Sequence, residues 1–312
     1  MSTSLYSHPV CVEHDPGAHH PEQPGRLRAV LKALEAEAFD NLVRVSAPKA
    51  SLAQIERIHA AYYVENVFEN VPESGLFHLD PDTAMSPKSG EAALRAAGGV
   101  CAAVDAVIGG QATNAFCALR PPGHHAEPSQ AMGFCLFNNI AIGALQARDV
   151  HGIERVAVVD FDVHHGNGTQ ASFERYRDFL YVSSHQSPAY PGTGAEMEHG
   201  LNKNIINVEL DPGSGSDIFR KAYTDRILPA LRDWKPQLLM ISAGFDAHLR
   251  DPLAQLQLQD DDFAWVSRQL LEVAAEVCEN RVVSVLEGGY DLDALAACVA
   301  LHVGELMAVD IR

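Results

Sequence analysis

Apolar residues fall into two kinds of stretch along this chain. Short, nearly unbroken runs at residues 114–119, 179–184, 205–210, 237–242 and 281–286, with a sixth at 155–164, lack the strict alternation of a half-solvated strand and fit strands buried on both faces. Longer segments at 91–108, 138–148, 167–175, 217–231 and 260–279 read as helices, the first so rich in Ala and Gly that it can lie close against a sheet. Nearer the start, residues 9–13 read as a short first strand, and a loop rich in proline, glycine and histidine leads into a helix beginning at Pro24 or Gly25. Residues 51–57 read as a short helix capped by Ser51, 59–68 as helical, and 72–89 mostly as loop. The alternation predicts one α/β domain over residues 1–312, with a predominantly parallel central sheet flanked by helices. Such sheets bind ligands at the carboxyl ends of their strands. HHGNG, SSH, GFDAH and EGGYD each follow a predicted strand, so these polar stretches are expected to meet.

Composition narrows the partners. The formal charge is −18, from 41 acidic and 23 basic residues, which disfavours a nucleic-acid or anionic-membrane surface while leaving a basic protein tail attractive. Six cysteines without a CxxC pair, mostly in apolar surroundings, suit buried thiols in a reducing compartment. MSTSLYSHPV has neither the basic nor the apolar region of a leader, and no run reaches membrane-spanning length without charges or helix breakers. A cytoplasmic protein is the resulting expectation.

The chemistry centres on RVAVVDFDVHHGNGT, residues 155–169. If 158–164 is a strand end, Asp160, Asp162 and His164 recur at period two and point to one face, a costly grouping unless a metal ion compensates it. A bare DxH pair serves equally for capping or loop hydrogen bonds. Asp246, after an apolar strand in LLMISAGFDAH, could complete an Asp162, His164, Asp246 triad that leaves a zinc ion nearly neutral with a position open for water or a carbonyl. In RPPGHHA the prolines and glycine allow a turn that aims His124 and His125 at one water, with Asp160 orienting one and Asn167 the other; paired core histidines are the plainer alternative. Tyr290, after two glycines, could donate to a carbonyl oxygen as charge develops, and Phe134 and Tyr190 could flank an apolar entrance; each also suits a packing role. His19 and His20 read as loop residues.

Taken together, HHPEQPGR, RPPGHHA, GFCLFNN, VDFDVHHGNGTQ, PGTG, SAGFDAH and LEGGYDL resemble the histone deacetylase superfamily, especially its class II and bacterial deacetylase-like branch, with acetylpolyamine amidohydrolases as relatives. The resemblance covers nearly the whole chain and implies an arginase/deacetylase-like fold and zinc-dependent hydrolysis of an N-acetyl amide to amine and acetate. By that resemblance Asp162, His164 and Asp246 are the ligands of one zinc ion, and His124 and His125 the histidine pair supported by Asp160 and Asn167. Tyr290 polarises the carbonyl, and His125 leads as general base and later general acid. Phe134 and Tyr190 resemble the channel walls, Leu253 the gatekeeper region, and Arg26 and Gly288 residues of the inner cavity. The resemblance also implies a structural potassium ion near Asp160, Asp162, His164, Ser183 and Ser184, and a second such region at Phe173. Apolar Leu253 favours acetyl-lysine-like substrates; an acetylated polyamine, drawn by Asp82 or the acidic field, is the alternative, followed by a catalytically weak acyl-lysine-binding module. An arginase-like dinuclear hydrolase is disfavoured, because a second set of bridging carboxylates is not evident.

Overall fold

The computed structural model describes residues 2–309. Its first part contains β1 (Thr3–Ser7), α1 (Val10–Glu13), α2 (Pro24–Ala33), β2 (Val43–Ser46), α3 (Leu52–Ile55), α4 (Ala61–Glu69), β3 (Phe77–Asp80) and β4 (Thr83–Met85). There follow α5 (Ser89–Ile108), β5 (Asn114–Cys117), α6 (Asn139–His151), β6 (Val156–Asp160), α7 (Asn167–Phe173) and β7 (Phe179–Gln186). The last part holds β8 (Ile205–Leu210), α8 (Ser216–Ala222), α9 (Leu228–Trp234), β9 (Leu238–Ala243), α10 (Asp260–Val277), β10 (Val282–Leu286) and α11 (Leu292–Ala308). A π-helical turn, Tyr223–Ile227, joins α8 to α9.

Eight strands make one sheet in the order β2-β1-β5-β10-β9-β6-β7-β8, and every pairing in it is parallel. The inner strands are buried at every position, VAVVD in β6 and LLMISA in β9, as a sheet covered on both faces requires. Helices α5, α6 and α7 pack with one another on one side, and α2, α8, α9, α10 and α11 make the other group. Because β10 and β9 sit between β5 and β6, the loops that leave β5, β10, β9 and β6 are neighbours at one edge. That edge is where HHGNG, GFDAH and EGGYD meet, whereas SSH, expected to follow a strand, lies inside β7.

Four local expectations need correction. The first strand is β1, and Val10–Glu13 is a short helix: Pro9 has helical φ and ψ of −55° and −37° and starts the turn, while the mixed TSLYS segment is held as strand by partners on both sides. The 72–89 loop contains the β3–β4 hairpin. Strand β6 stops at Asp160, so Asp162 and His164 are not successive positions on one strand face. Edge strand β2 and helix α11 are further elements; the former is largely exposed and carries no apolar run. Among the described residues, no helix is long and apolar enough to cross a membrane.

The small residues of α5 have a measurable consequence. A Cβ at Gly98 would lie 2.3 Å from both Pro48 O and Ala50 N, backbone atoms that cannot swing aside, whereas a Cβ at Gly304 in α11 meets nothing within 4 Å. In urea unfolding, Gly98→Ala is expected to lose about 2 kcal/mol or more through overpacking, and Gly304→Ala to gain roughly 0.5–1 kcal/mol from the lower entropy of the unfolded chain.

Candidate active site

Beyond β6 the chain curls through two side-chain-capped turns. The Asp160 carboxylate accepts the Asp162 N–H at 3.1 Å, and that of Asp162 accepts the His164 N–H at 2.9 Å. Asp246, in the loop after β9, accepts the Val163 N–H at 2.9 Å and so ties the two loops together. Phe161 and Phe245 immediately precede Asp162 and Asp246 and turn into the core, their ring centroids 5.8 Å apart. Each aromatic anchor leaves the following carboxylate directed the other way.

These turns bring Asp162, His164 and Asp246 together, with ligand-type atoms within 4.8 Å of one another. His164 Nδ1 lies 3.2 Å from Asp162 Oδ1 and 3.1 Å from Asp246 Oδ2. Burial lowers the His164 pKa, but its bonds to the two carboxylates outweigh burial and raise it to about 10. The cage therefore demands positive charge. It is also tightly framed: a Cβ on Gly244 would lie 2.1 Å from Asp162 Oδ2, and one on Gly288 2.2 Å from Asp246 Oδ2. Two carboxylates and an imidazole in this cradle fit a divalent metal ion. Another cluster, His248, Asp260 and Cys298, does not: His248 Nδ1 accepts the Arg250 N–H at 3.1 Å, so its proton sits on Nε2, where it faces Asp260 at 3.0 Å.

The two adjacent histidines stand beside the cage with ring centroids 4.0 Å apart. His124 Nδ1 is 3.0 Å from Asp160 Oδ2, which also accepts the Tyr181 hydroxyl at 3.0 Å. Burial lowers the His124 pKa, yet the charges of Asp162 and Asp160 prevail and raise it to about 10, so it is a cation at neutral pH. His125 goes the other way: burial, then the charges of His124 and His164, hold it well below 6.5. Its Nδ1 is 2.9 Å from Asn167 Oδ1, and Asn167 Nδ2 donates to Glu127 at 2.8 Å. That orientation leaves the Asn167 oxygen to accept the His125 Nδ1 proton, and Nε2 keeps a free lone pair. Adjacent residues thus differ in charge because His124 faces Asp162 and Asp160, whereas His125 is buried beside two imidazoles that repel a further positive charge.

A cavity of about 230 Å³ opens above these groups, lined by Asp82, His125, Gly133, Phe134, His164, Tyr190, Leu253 and Tyr290. Gly133 and Phe134 form the turn between the bridged residues Met132 and Cys135, with φ of 57° and 70°. Positive φ at both centres is what a two-residue type I′ turn needs, and Phe134 accepts that strain of about 1–2 kcal/mol to present its ring. Phe134 stands edge-on to Tyr290 at 5.9 Å, and Tyr190, 40% exposed at the mouth, edge-on to His125 at 5.1 Å. Burial and the nearby carboxylates push the Tyr290 phenol well above 10, so it stays a hydrogen-bond donor. A larger surface groove of about 650 Å³ beside Arg57 and Tyr176 holds none of these groups.

Arg26 and Gly288 are not among the cavity-lining residues. Arg26 is fully buried; its Nε donates to Gly289 O at 2.6 Å, and its guanidinium carbon lies 4.8 Å from the centre of the Tyr290 ring. Gly288 N donates to Asp162 Oδ2 at 2.8 Å. Ser183 is the register partner of Asp160, its hydroxyl paired with His185 at 2.9 Å, and the Ser184 hydroxyl meets Tyr223 at 3.1 Å. Phe173 lies at the far end of α7, stacked on Phe179 at 4.6 Å.

Two carboxylates, Glu287 and Asp251, add to the expected set, and a third, Asp82, was expected only to attract a polyamine. Glu287 is fully buried, and its Oε2 accepts the N–H groups of Gly123 and His124 at 2.7 and 3.2 Å, which clamps the turn that carries the histidines. Asp251 accepts the N–H groups of Leu253 and Tyr290 at 3.0 and 2.7 Å. Asp82, in the β3–β4 turn, accepts the Gly133 N–H at 3.0 Å. Glu287 and Asp251 stood inside LEGGYDL and RDPLAQ, where an acid next to an apolar strand or before proline was the available signal.

Comparison with known proteins gives one answer. A family profile described as "Histone deacetylase domain" matches residues 20–306. The chain is 40% identical over 306 residues to the "Histone deacetylase-like amidohydrolase" of Pseudomonas aeruginosa, covering 96% of this chain and 80% of that protein. It is 35% identical to "Histone deacetylase 14, chloroplastic" of Arabidopsis thaliana, over 98% of this chain and 77% of that one. It is 37% identical to the "Type-2 histone deacetylase 2" of Dictyostelium discoideum, of whose length it spans 21%. The crystal structure of the HDA15 HD domain matches with a TM-score of 0.92 at 31% identity, over 99% of this chain and 89% of that one. The chain belongs to the histone deacetylase family and has the arginase/deacetylase architecture.

The Glu287 clamp can be separated from its charge. Glu287→Ala leaves two buried N–H groups without an acceptor and is expected to cost roughly 2–5 kcal/mol in thermal or urea unfolding. Glu287→Gln can still accept through Oε1 and is expected to cost less than half as much; equal losses would mean that the charge matters more than the two bonds.

Proposed function

We propose that this member of the histone deacetylase family is a zinc-dependent deacetylase that hydrolyses an N-acetyl amide, of acetyl-lysine-like substrates first, to an amine and acetate. The observation that carries the reading is the convergence of a neutral His125, the His164 cage and the Tyr290 phenol in one cavity of about 230 Å³ between two aromatic walls. A zinc ion held by Asp162, His164 and Asp246 would supply Lewis-acid polarisation of the acetyl carbonyl and of the attacking water.

The chain's own groups do the rest. His125 Nε2 takes a proton from water as it attacks the carbonyl carbon, and later returns one to the departing amine. His124, held as a cation by Asp160, supplies fixed positive charge beside the reacting atoms, while Asn167 keeps the His125 ring in the accepting tautomer. Tyr290 donates its O–H to the carbonyl oxygen, more strongly as that oxygen becomes anionic. Phe134 and Tyr190 hold the methylene stem and keep bulk water away, with Leu253 at the entrance. Arg26, stacked on Tyr290, and Gly288, against Asp162, position the inner end of the site. A potassium ion near Asp160, Asp162, His164, Ser183 and Ser184 belongs to the same proposal, supported by the pairing of Asp160 with Ser183 across adjacent strands.

The Asp82 carboxylate in the cavity lining favours a second reading, an acetylated polyamine whose distal ammonium meets that charge. The net charge of −18 speaks against direct nucleic-acid binding, and six buried, unpaired cysteines suit a reducing compartment such as the cytoplasm.

Side-by-side kcat/KM on an acetyl-lysine peptide and on mono-acetylated polyamines tests the proposal. Peptide turnover is expected to be faster, to vanish on chelation and to return with zinc; faster polyamine turnover would transfer the chemistry to the second reading. Tyr290→Phe is expected to lower kcat about 100- to 1000-fold with metal content unchanged. A folded, zinc-loaded protein that turns over neither substrate would point to a binding role.

A further inference from the structure

Away from the catalytic groups, three backbone oxygens converge beneath the junction of α7 and β7. The carbonyls of Phe173, Tyr176 and Phe179 all lie 2.9 Å from one atom, Nδ2 of Asn204. Asn204 is 3% exposed, and its Oδ1 has no hydrogen-bond partner. A carboxamide nitrogen carries two protons, so the three carbonyls share them, and the amide oxygen is left on the side away from the carbonyls. Rotating the amide would instead put Oδ1 against three carbonyl oxygens, so the nitrogen-inward orientation is electrostatically fixed.

Several carbonyl dipoles aimed at one buried point make a site of negative potential that a dehydrated monovalent cation would ordinarily fill. Around Phe173 the family resemblance implied such an ion. The residues present do not fit one, because the place it would take is held by a side chain. We propose that Asn204 is a covalently attached substitute for a cation, closing this second site and making the α7–β7 junction independent of potassium.

The surroundings are built for that role. The Asn204 carbonyl accepts the Tyr181 N–H at 3.0 Å, which fixes its backbone to β7. Gly200 has φ of +67°, and a Cβ there would lie 2.7 Å from Asn204 Oδ1, so a glycine makes room for the unpaired oxygen. The clamped carbonyls belong to the last residue of α7, the following turn and the first residue of β7, while the first residue of α7 is Asn167, the partner of His125. The amide therefore anchors one end of a helix whose other end orients a histidine of the site.

The test compares wild type, Asn204→Ala and Asn204→Asp by thermal unfolding in potassium chloride and in tetramethylammonium chloride, together with anomalous scattering from rubidium-soaked crystals. Any potassium response of the wild type, from another site, is the baseline. Both variants are expected to gain an additional potassium-dependent rise in Tm, roughly 5 °C when the ion is a hundredfold above its Kd, and a rubidium peak among the three carbonyls. If Asn204→Ala does not fold, Asn204→Asp decides the matter: its carboxylate, repelled by the three carbonyl oxygens, withdraws from the place Nδ2 holds and leaves it to a cation, so the same potassium dependence is expected. A rubidium peak at this point in wild-type crystals, or a folded variant with no added potassium response, would overturn the proposal.

Discussion

Burial of carboxyl groups is the constraint around which this protein is built, and it raises the pKa of Asp160 and Asp246 and brings that of Glu287 to about 7. Asp160, Asp162, Asp246 and Glu287 are at most 1% exposed, and all four stand at one edge of one sheet. Ionised carboxylates away from water are costly unless hydrogen bonds and opposite charges compensate them. Backbone N–H groups of Gly123, His124, Asp162, Val163, His164 and Gly288 answer part of that demand, and the imidazoles of His124 and His164 answer more. What remains is a cage suited to a metal ion. Stability and site geometry are thus linked, since the groups that make the edge tolerable are those that hold the cage in place.

The parallel sheet makes such a concentration possible. Every strand runs the same way, so each delivers its following loop to the same edge, and the strand order sets four of those loops side by side. Below them Glu22 repeats the theme on a smaller scale. It is fully buried, is paired with Arg26 and Arg120, and ties the N-terminal loop to the floor of the site through the bonds of Arg26 to the 287–289 backbone. Burial would raise the Glu22 pKa, but the charge of Arg120 and a bond to His14 hold it well below the usual carboxylate range.

Much of this was legible in the sequence, because apolar runs of five or six residues ending in Asp, His or Gly mark buried strands with functional ends. Strands 205–210 and 281–286 stand almost where the pattern put them. β1 was not legible: its Thr and Ser carry no apolar periodicity, and the strand is fixed by distant partners, β2 and β5 on its two sides and Leu306 O, which accepts the Thr3 hydroxyl from 303 residues away. The period-two reading placed Asp160, Asp162 and His164 on one strand face, but β6 ends at Asp160 and side-chain-capped turns, not a pleat, set the positions of Asp162 and His164. Glu287 and Asp251 were marked only by an acid beside an apolar strand or before proline, because most of their partners are backbone N–H groups, which residue identity does not record.

The strand order also has a consequence in time. Synthesis produces β5 and β6 well before β9 and β10, yet in the finished sheet the later pair lies between the earlier ones. A growing chain that has made only the first six strands holds the histidine pair and the DxH turn on strands that do not touch, and it lacks Asp246 and Tyr290. The sheet must admit its two middle members last, so the emerging protein exposes unpaired strand edges until then. Asp162, His164 and Asp246 meet only after β9 has been threaded into place, so the cage they form is a late feature that closes with the sheet and cannot template an open one.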